Sequence, residues 1–305
     1  MVWVIGCNGM LGTELCRQLK QKGIQFEGTD RNVDITQRDS LNQFAHGKKI
    51  DFIVNCAAYT AVDKAEEDTE TAEKLNCTGA KNIAETAKLI GAKLIHISTD
   101  YVFDGKGGKD SSGNIVPYTE DMEIAPLGVY GKTKADGEAA VSSVLKEFYI
   151  LRTAWLYGWA GKNFVYTMIK AFNSRPAVKV VMDQRGKPTF CGTLASVIIK
   201  IIESCKNNKP LPFGIYHVTD LGETSWFEFA GEIKKQAEEI GLLEKNDCAV
   251  NFCTTEEYPT PAKRPAYSVL SKEKIQREAG IILPQWQDTL REFLTSKEFD
   301  RLRVL

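Results

Sequence analysis

Four apolar residues, Val2-Trp3-Val4-Ile5, run directly into Gly6-Cys7-Asn8-Gly9-Met10-Leu11-Gly12. An amphipathic stretch follows to Lys22, with Leu11, Leu15 and Leu19 on one face. Strand, glycine-rich turn and helix in that order is the context a dinucleotide-binding fingerprint requires. The glycines, spaced G-x-x-G-x-x-G, permit positive φ and let the backbone approach a pyrophosphate at the helix N-terminus. A plain tight turn is the alternative, and the flanking strand and helix weigh against it. The residues expected to touch a cofactor here are Gly6, Asn8, Gly9, Met10, Leu11 and Gly12.

The same alternation continues. A second strand over Gln25–Thr29 ends at Asp30-Arg31. An acidic residue about 20 positions past the glycines is placed to bond a ribose 2′-OH and favours NAD. The adjacent Arg31 could accept a 2′-phosphate instead, so NADH and NADPH both stay open. Asp34 and Ile35 would then flank the adenine, although such polar residues are often only loop. Asp51–Asn55 is a third strand, and the small residues after it, Ala57 and Ala58, with Tyr59, let the backbone pass close to a cofactor. Thr69–Ile90 reads as one long helix, on which Asn76 is either a buried anchor or exposed. Lys93–Ile97 is a fourth strand and Phe148–Leu151 a fifth.

This pattern predicts an α/β protein with a Rossmann-type, doubly wound parallel sheet over residues 1–155. After about residue 155 the rhythm loosens into a smaller mixed α/β lobe, over most of 156–305, suited to holding a substrate. The strand near 178–182 and the helix over 193–205 are expected to return to the first domain. Gly105–Asn114 is a polar, glycine-rich loop, either a flap or a solvated excursion. Ser225 and Glu228 form a capping box that opens a helix. Pro259–Pro265, with Lys263 and Arg264, is a rigid basic loop, and Gln285–Leu294 a closing helix.

Chemistry is concentrated between Ser98 and Lys134. Thr99 and Asp100 lie at the carboxyl end of the fourth strand, where ligands bind in open α/β sheets. Tyr130 and Lys134 are four residues apart on a helical pattern, so both project from one face. A positive lysine favours the phenolate, which lets a tyrosine exchange a proton with a substrate oxygen, while a threonine hydroxyl holds that oxygen. Tyr-x-x-x-Lys alone is weak evidence; the glycine turn gives it meaning. Trp155, at the end of the fifth strand, could stack on a flat ring or simply fill the core.

The totals exclude several classes. A net charge of −1 gives no field for nucleic acid. No apolar run approaches the ~20 residues that span a membrane, and Met1–Gly6 lacks the marks of a signal peptide. The eight cysteines are scattered without C-x-x-C pairs, as in a cytoplasmic protein. His46, His96 and His217 have no partners at metal-ligand spacing.

Taken together, these segments resemble the extended short-chain dehydrogenase/reductase superfamily, and within it the dTDP-4-dehydrorhamnose reductases. The resemblance rests on Gly6–Gly12, Asn55–Glu66, Ser98–Gly105, Tyr130–Glu138, Leu151–Gly158, Asp183–Thr189, Gly214–Val218 and Arg264-Pro265. It implies a triad at Thr99, Tyr130 and Lys134, and reduction of the 4-keto group of dTDP-4-dehydro-β-L-rhamnose by NADH or NADPH. Lys134 would bind the nicotinamide ribose, and Thr99, Asp100 and Trp155 the nucleotide sugar. Arg264 is chemically suited to the diphosphate. Members of the family are described as Mg²⁺-linked dimers, so a homodimer is allowed. No acidic residue occurs between Thr193 and Glu203, so no metal is expected. Two alternatives stay open: another nucleotide-sugar reductase or epimerase, and a regulatory module like the β subunit of methionine adenosyltransferase.

Overall fold

The computed structural model describes residues 1–243 and 247–300. In chain order the strands used below are β1 (Val2–Ile5), β2 (Phe26–Thr29), β3 (Phe52–Asn55), β4 (Lys93–Thr99), β5 (Phe148–Thr153), β6 (Ala177–Val181), β7 (Gly214–His217) and β8 (Ala249–Cys253). The helices are α1 (Met10–Gln21), α2 (Gly79–Ile90), α3 (Val129–Val144), α4 (Cys191–Lys206) and α5 (Trp226–Glu239).

Six strands form one parallel sheet in the order β7-β5-β4-β3-β1-β2. The chain runs from β1 outward to β2, then places β3 on the other side of β1. Strand order therefore reverses at β1, and the crevice for a ligand opens outside its carboxyl end. Side chains alternate between the two faces. Val2 and Val4 meet Leu11, Leu15 and Leu19 of α1 and Leu194 and Ile198 of α4. Trp3 and Ile5 meet Ile83, Ala84 and Ala87 of α2 and Val141 of α3. Both faces are covered, which is why these strands read as unbroken apolar runs.

A third core is built mainly from aromatic rings of the second half, among them Tyr157, Phe172, Phe190, Phe229 and Phe293. It corrects one expectation. The strand near 178–182 forms as β6 but does not return to the central sheet, because it pairs in parallel with β8 instead. Val178 and Val180 are buried in the aromatic core while Lys179 between them is exposed. A strand with one wet face does not fit a sheet covered on both sides. The helix expected over 193–205 lies within α4, against the central sheet. Of the lobe expected over 156–305, residues 244–246 and 301–305 lie outside the described residues.

The helix expected over Thr69–Ile90 is continuous but not uniform. Thr69–Glu73 is α-helical, Lys74–Thr78 is one π-helical turn, and α2 follows. The loop after Gly105 closes as an antiparallel ribbon, Gly108–Lys109 against Ile115–Val116. Its base packs on Pro265 and Tyr267 and its tip is exposed.

Candidate active site

The glycine turn has no room for side chains. Gly6 has φ +77°, and a Cβ there would lie 2.7 Å from the Ala57 nitrogen. A Cβ on Gly12 would lie 2.1 Å from the Gly6 oxygen, so α1 presses onto the turn. Gly9 is less crowded, at 3.3 Å from the same oxygen. The first amides of α1, at Met10, Leu11 and Gly12, have no acceptor within the helix and form the positive end of its dipole. Asp30, at the end of β2, accepts from the Asn8 amide (3.1 Å) and from the Arg31 amide (2.9 Å). The carboxylate therefore stands beside the glycine turn, with Arg31 exposed next to it. Asp34 is exposed, whereas Ile35 is buried in the core against Gly79.

The segment after β3 frames the site. Asn55 accepts from the Ala57 amide (3.0 Å), and Asn76 of the π turn accepts from the Tyr59 amide (2.8 Å). Asn76 is 1% exposed and also donates to the Thr133 hydroxyl (3.1 Å), which settles it as a buried anchor. Glu66 accepts from the Val129 amide (2.9 Å), supplying the N-terminal cap that Gly128 cannot. Two carboxamide and carboxylate groups thus fix the helix that carries Tyr130. Gly131 lets that helix approach further, since a Cβ there would lie 2.2 Å from the Tyr101 oxygen.

Thr99 ends β4, where its hydroxyl donates to Asp100 (3.0 Å) and accepts from the Tyr101 amide (3.2 Å). Asp100 is buried behind Thr99, and burial raises its carboxyl to about 6. Tyr130 is half-buried, with Tyr101 packed edge-on 5.5 Å away. Burial pushes its phenol above the usual tyrosine range, against a smaller lowering by a hydrogen bond with Thr99. Lys134 is buried, donates to the Ile97 carbonyl (2.6 Å) and lies 3.5 Å from His96 Nε2. Burial lowers it to about 8, opposed by Glu138. The sequence argument expected the lysine charge to favour the phenolate. Here the lysine nitrogen donates to the Ile97 carbonyl, and burial is the largest influence on the Tyr130 phenol.

Trp155 and Arg264 both have partners within the protein. Trp155 adopts a left-handed φ of +47° and stacks on Trp226 of α5, so one face of its ring is covered. Arg264 is tied to Asp63 (2.7 Å) and reaches the Tyr101 hydroxyl (3.3 Å). Asp63 also accepts from the Ala262 amide (3.2 Å), so the basic loop is fastened to the segment after β3. Sequence reasoning missed these roles of Asp63, Glu66, Trp226 and His96. Asn55 and His96 are direct register partners on β3 and β4, a pairing that one sequence does not reveal.

Among the described residues, no group of three or more His, Cys, Asp or Glu side chains is placed to hold a metal ion. No described helix is long and apolar enough to cross a membrane.

A parallel sheet that reverses above a glycine cradle, with a threonine, a tyrosine and a lysine at its carboxyl edge, defines a Rossmann-type, dinucleotide-dependent oxidoreductase. The chain belongs to the family described as the RmlD substrate binding domain, whose model matches residues 1–299. It is 42% identical to the spore coat polysaccharide biosynthesis protein SpsK of Bacillus subtilis, over 97% of each chain. It is 40% identical to the dTDP-4-dehydrorhamnose reductase of Aggregatibacter actinomycetemcomitans, over 94% of this chain and 96% of that one. The crystal structure of dTDP-4-dehydrorhamnose reductase from Bacillus anthracis in complex with NADP aligns with a TM-score of 0.85. That protein is 36% identical, with 96% of this chain and 98% of that one covered.

Proposed function

We propose that this chain reduces the 4-keto group of dTDP-4-dehydro-β-L-rhamnose to give dTDP-L-rhamnose, with NADH or NADPH as reductant. The observation that carries the reading is the crevice floored by Gly6 and Gly12 at the carboxyl end of β1, with Thr99 at the end of β4 and Tyr130 and Lys134 on the first turns of α3 beside it. The crowding at those two glycines fits a dinucleotide, because the backbone itself is the binding surface. The full-length likeness to named reductases supports the substrate.

When bound, the nicotinamide supplies the hydride. Tyr130 supplies the proton to the sugar oxygen, and burial suits it to that task by keeping the phenol protonated at neutral pH. Thr99, whose hydroxyl donates to Asp100 in the free site, turns that single proton to the same oxygen when the sugar binds. Lys134 binds the nicotinamide ribose, while Asp30 reads the adenosine ribose. Residues 156–305 supply most of the substrate lobe, with Trp155 and Arg264 at its border. Eight free cysteines support a cytoplasmic setting.

The test is NADPH and NADH oxidation with the keto sugar made in situ by a dehydratase and a 3,5-epimerase. Oxidation that depends on the epimerised sugar is expected. No oxidation by a protein that binds NADPH would overturn the assigned substrate.

A further inference from the structure

The hydrogen bonds behind Lys134 determine which atoms carry protons. Asn55 Oδ1 accepts from the Ala57 amide at 3.0 Å, which fixes the orientation of the carboxamide. Its Nδ2 therefore faces His96 Nδ1, at 3.0 Å, and donates to it. His96 is 1% exposed, and burial pushes it well below the usual histidine range, so the ring is neutral. A neutral imidazole that accepts at Nδ1 carries its proton on Nε2. That Nε2–H faces Lys134 Nζ at 3.5 Å, while Nζ donates to the Ile97 carbonyl at 2.6 Å.

An ammonium has three donors and no acceptor, so it meets the His96 proton donor to donor. An amine has a lone pair that can accept the same proton and still donate to Ile97. We infer that His96 is a positioning residue for Lys134: held by Asn55 with its proton on Nε2, it favours the amine over the ammonium at that position. The inference rests on the reading of Lys134 as part of the reductase site.

The other groups around Lys134 do not account for this bias. On its own helix lie Tyr130 and Glu138, and Glu138 is already bonded to Arg152 of β5 at 2.7 Å. Glu138 favours the ammonium. Past the end of β4 lies Asp100, which is turned to Thr99. Burial and the fixed imidazole act together in the opposite sense.

Imidazole ¹⁵N spectra of the full chain test the tautomer without requiring turnover. The chain has three histidines, so His96→Gln assigns the signal. A neutral His96 protonated at Nε2 across neutral pH is expected; protonation at Nδ1, or a doubly protonated ring, overturns the inference. Asn55→Asp tests the consequence. A carboxylate still accepts from the Ala57 amide but turns an acceptor toward His96, so the proton should move to Nδ1. The ¹³Cε titration midpoint of Lys134, assigned with Lys134→Arg, should then rise by about one pH unit, with the alkaline limb of kcat/KM following. A tautomer that moves while the lysine midpoint stays would overturn the inference, as would a tautomer that does not move. If Asn55→Asp fails to fold, the spectrum of the unaltered protein decides. Loss of activity on every substrate would defeat the reductase reading and leave the tautomer measurement unaffected.

Discussion

The indole of Trp155 lies flat on that of Trp226, with 3.6 Å between ring centroids and 10° between their planes. Trp155 lies two residues past the end of β5 and Trp226 opens α5, so the stack joins the end of a central strand to the second lobe. Trp155 is held at φ +47°, a strain of about 1–3 kcal/mol for a bulky residue, which the stack helps to offset. Trp226→Ala should lower stability by about 2–4 kcal/mol in denaturant unfolding, and Trp226→Phe by about half of that. A loss under about 1 kcal/mol for the alanine variant would show that the stack does not hold the lobes together.

Two glycine substitutions should separate. Gly12→Ala places a methyl group 2.1 Å from the Gly6 oxygen, where only a backbone shift can make room. It should abolish measurable NADPH binding and reduce stability by about 1–3 kcal/mol. Gly9→Ala, at 3.3 Å from that oxygen, should retain the fold and most of the affinity. Fluorescence titration with NADPH and thermal melts of both variants check this; equal effects would contradict the packing argument.

Tyr130→Phe removes the phenolic oxygen and leaves the ring against Tyr101. Turnover should fall by about 10²–10⁴-fold, the usual contribution of a positioned general acid. NADPH affinity should change little. Unchanged turnover would remove Tyr130 from its assigned role.

Asp30→Ala should weaken NADH by roughly ten- to a hundredfold relative to NADPH, since a carboxylate to ribose bond contributes about 1.5–3 kcal/mol. The loss of the acceptor for the Asn8 amide affects both cofactors alike, so the ratio of the two affinities is the quantity to measure. Equal weakening would mean that Asp30 shapes the turn without reading the ribose.

Asp100 sets a pH dependence of stability. Its folded carboxyl sits near 6, above the ordinary 3.8. Between those values the folded chain keeps a proton that the unfolded chain has lost. Stability therefore falls as pH rises from about 4 to about 6, and the deficit persists above. Asp100→Asn keeps an acceptor for Thr99 and removes the charge. It should flatten unfolding free energy over that interval and gain about 1–3 kcal/mol at pH 7. A variant no more stable than the parent at neutral pH would show that the charge is compensated.

Much of this architecture is readable from local signals, because local signals caused it. Val2–Gly12 is a buried strand, a crowded turn and a helix, and each residue's constraint lies within its immediate neighbours. Ser225 and Glu228 likewise meet across a single turn, and the capping box is present. Contacts set by tertiary register were not legible. Arg264 has the chemistry for a diphosphate, but only the folded chain brings Asp63 to it. Trp155 has a free aromatic face in sequence and a covered one in space. The alternation Val178-Lys179-Val180 carried the information that β6 has one wet face, yet apolar content alone suggested a return to the main sheet. Glu66 caps α3 from 63 positions earlier in the chain, a pairing that only the fold creates.

The π turn at Lys74–Thr78 gives the helix between β3 and β4 a fixed phase. One residue of helix corresponds to about 100° of rotation, so the extra residue in that turn determines which way each half faces. Thr69–Glu73 and α2 address different neighbours, and Asn76 turns inward at the joint between them. A one-residue deletion there would restore a regular helix and rotate one half away from its partners. A one-residue insertion elsewhere in the helix would do similar damage. The reading frame of this helix, measured in angle instead of in codons, is therefore under tighter constraint than its composition, and length changes among relatives should fall outside it.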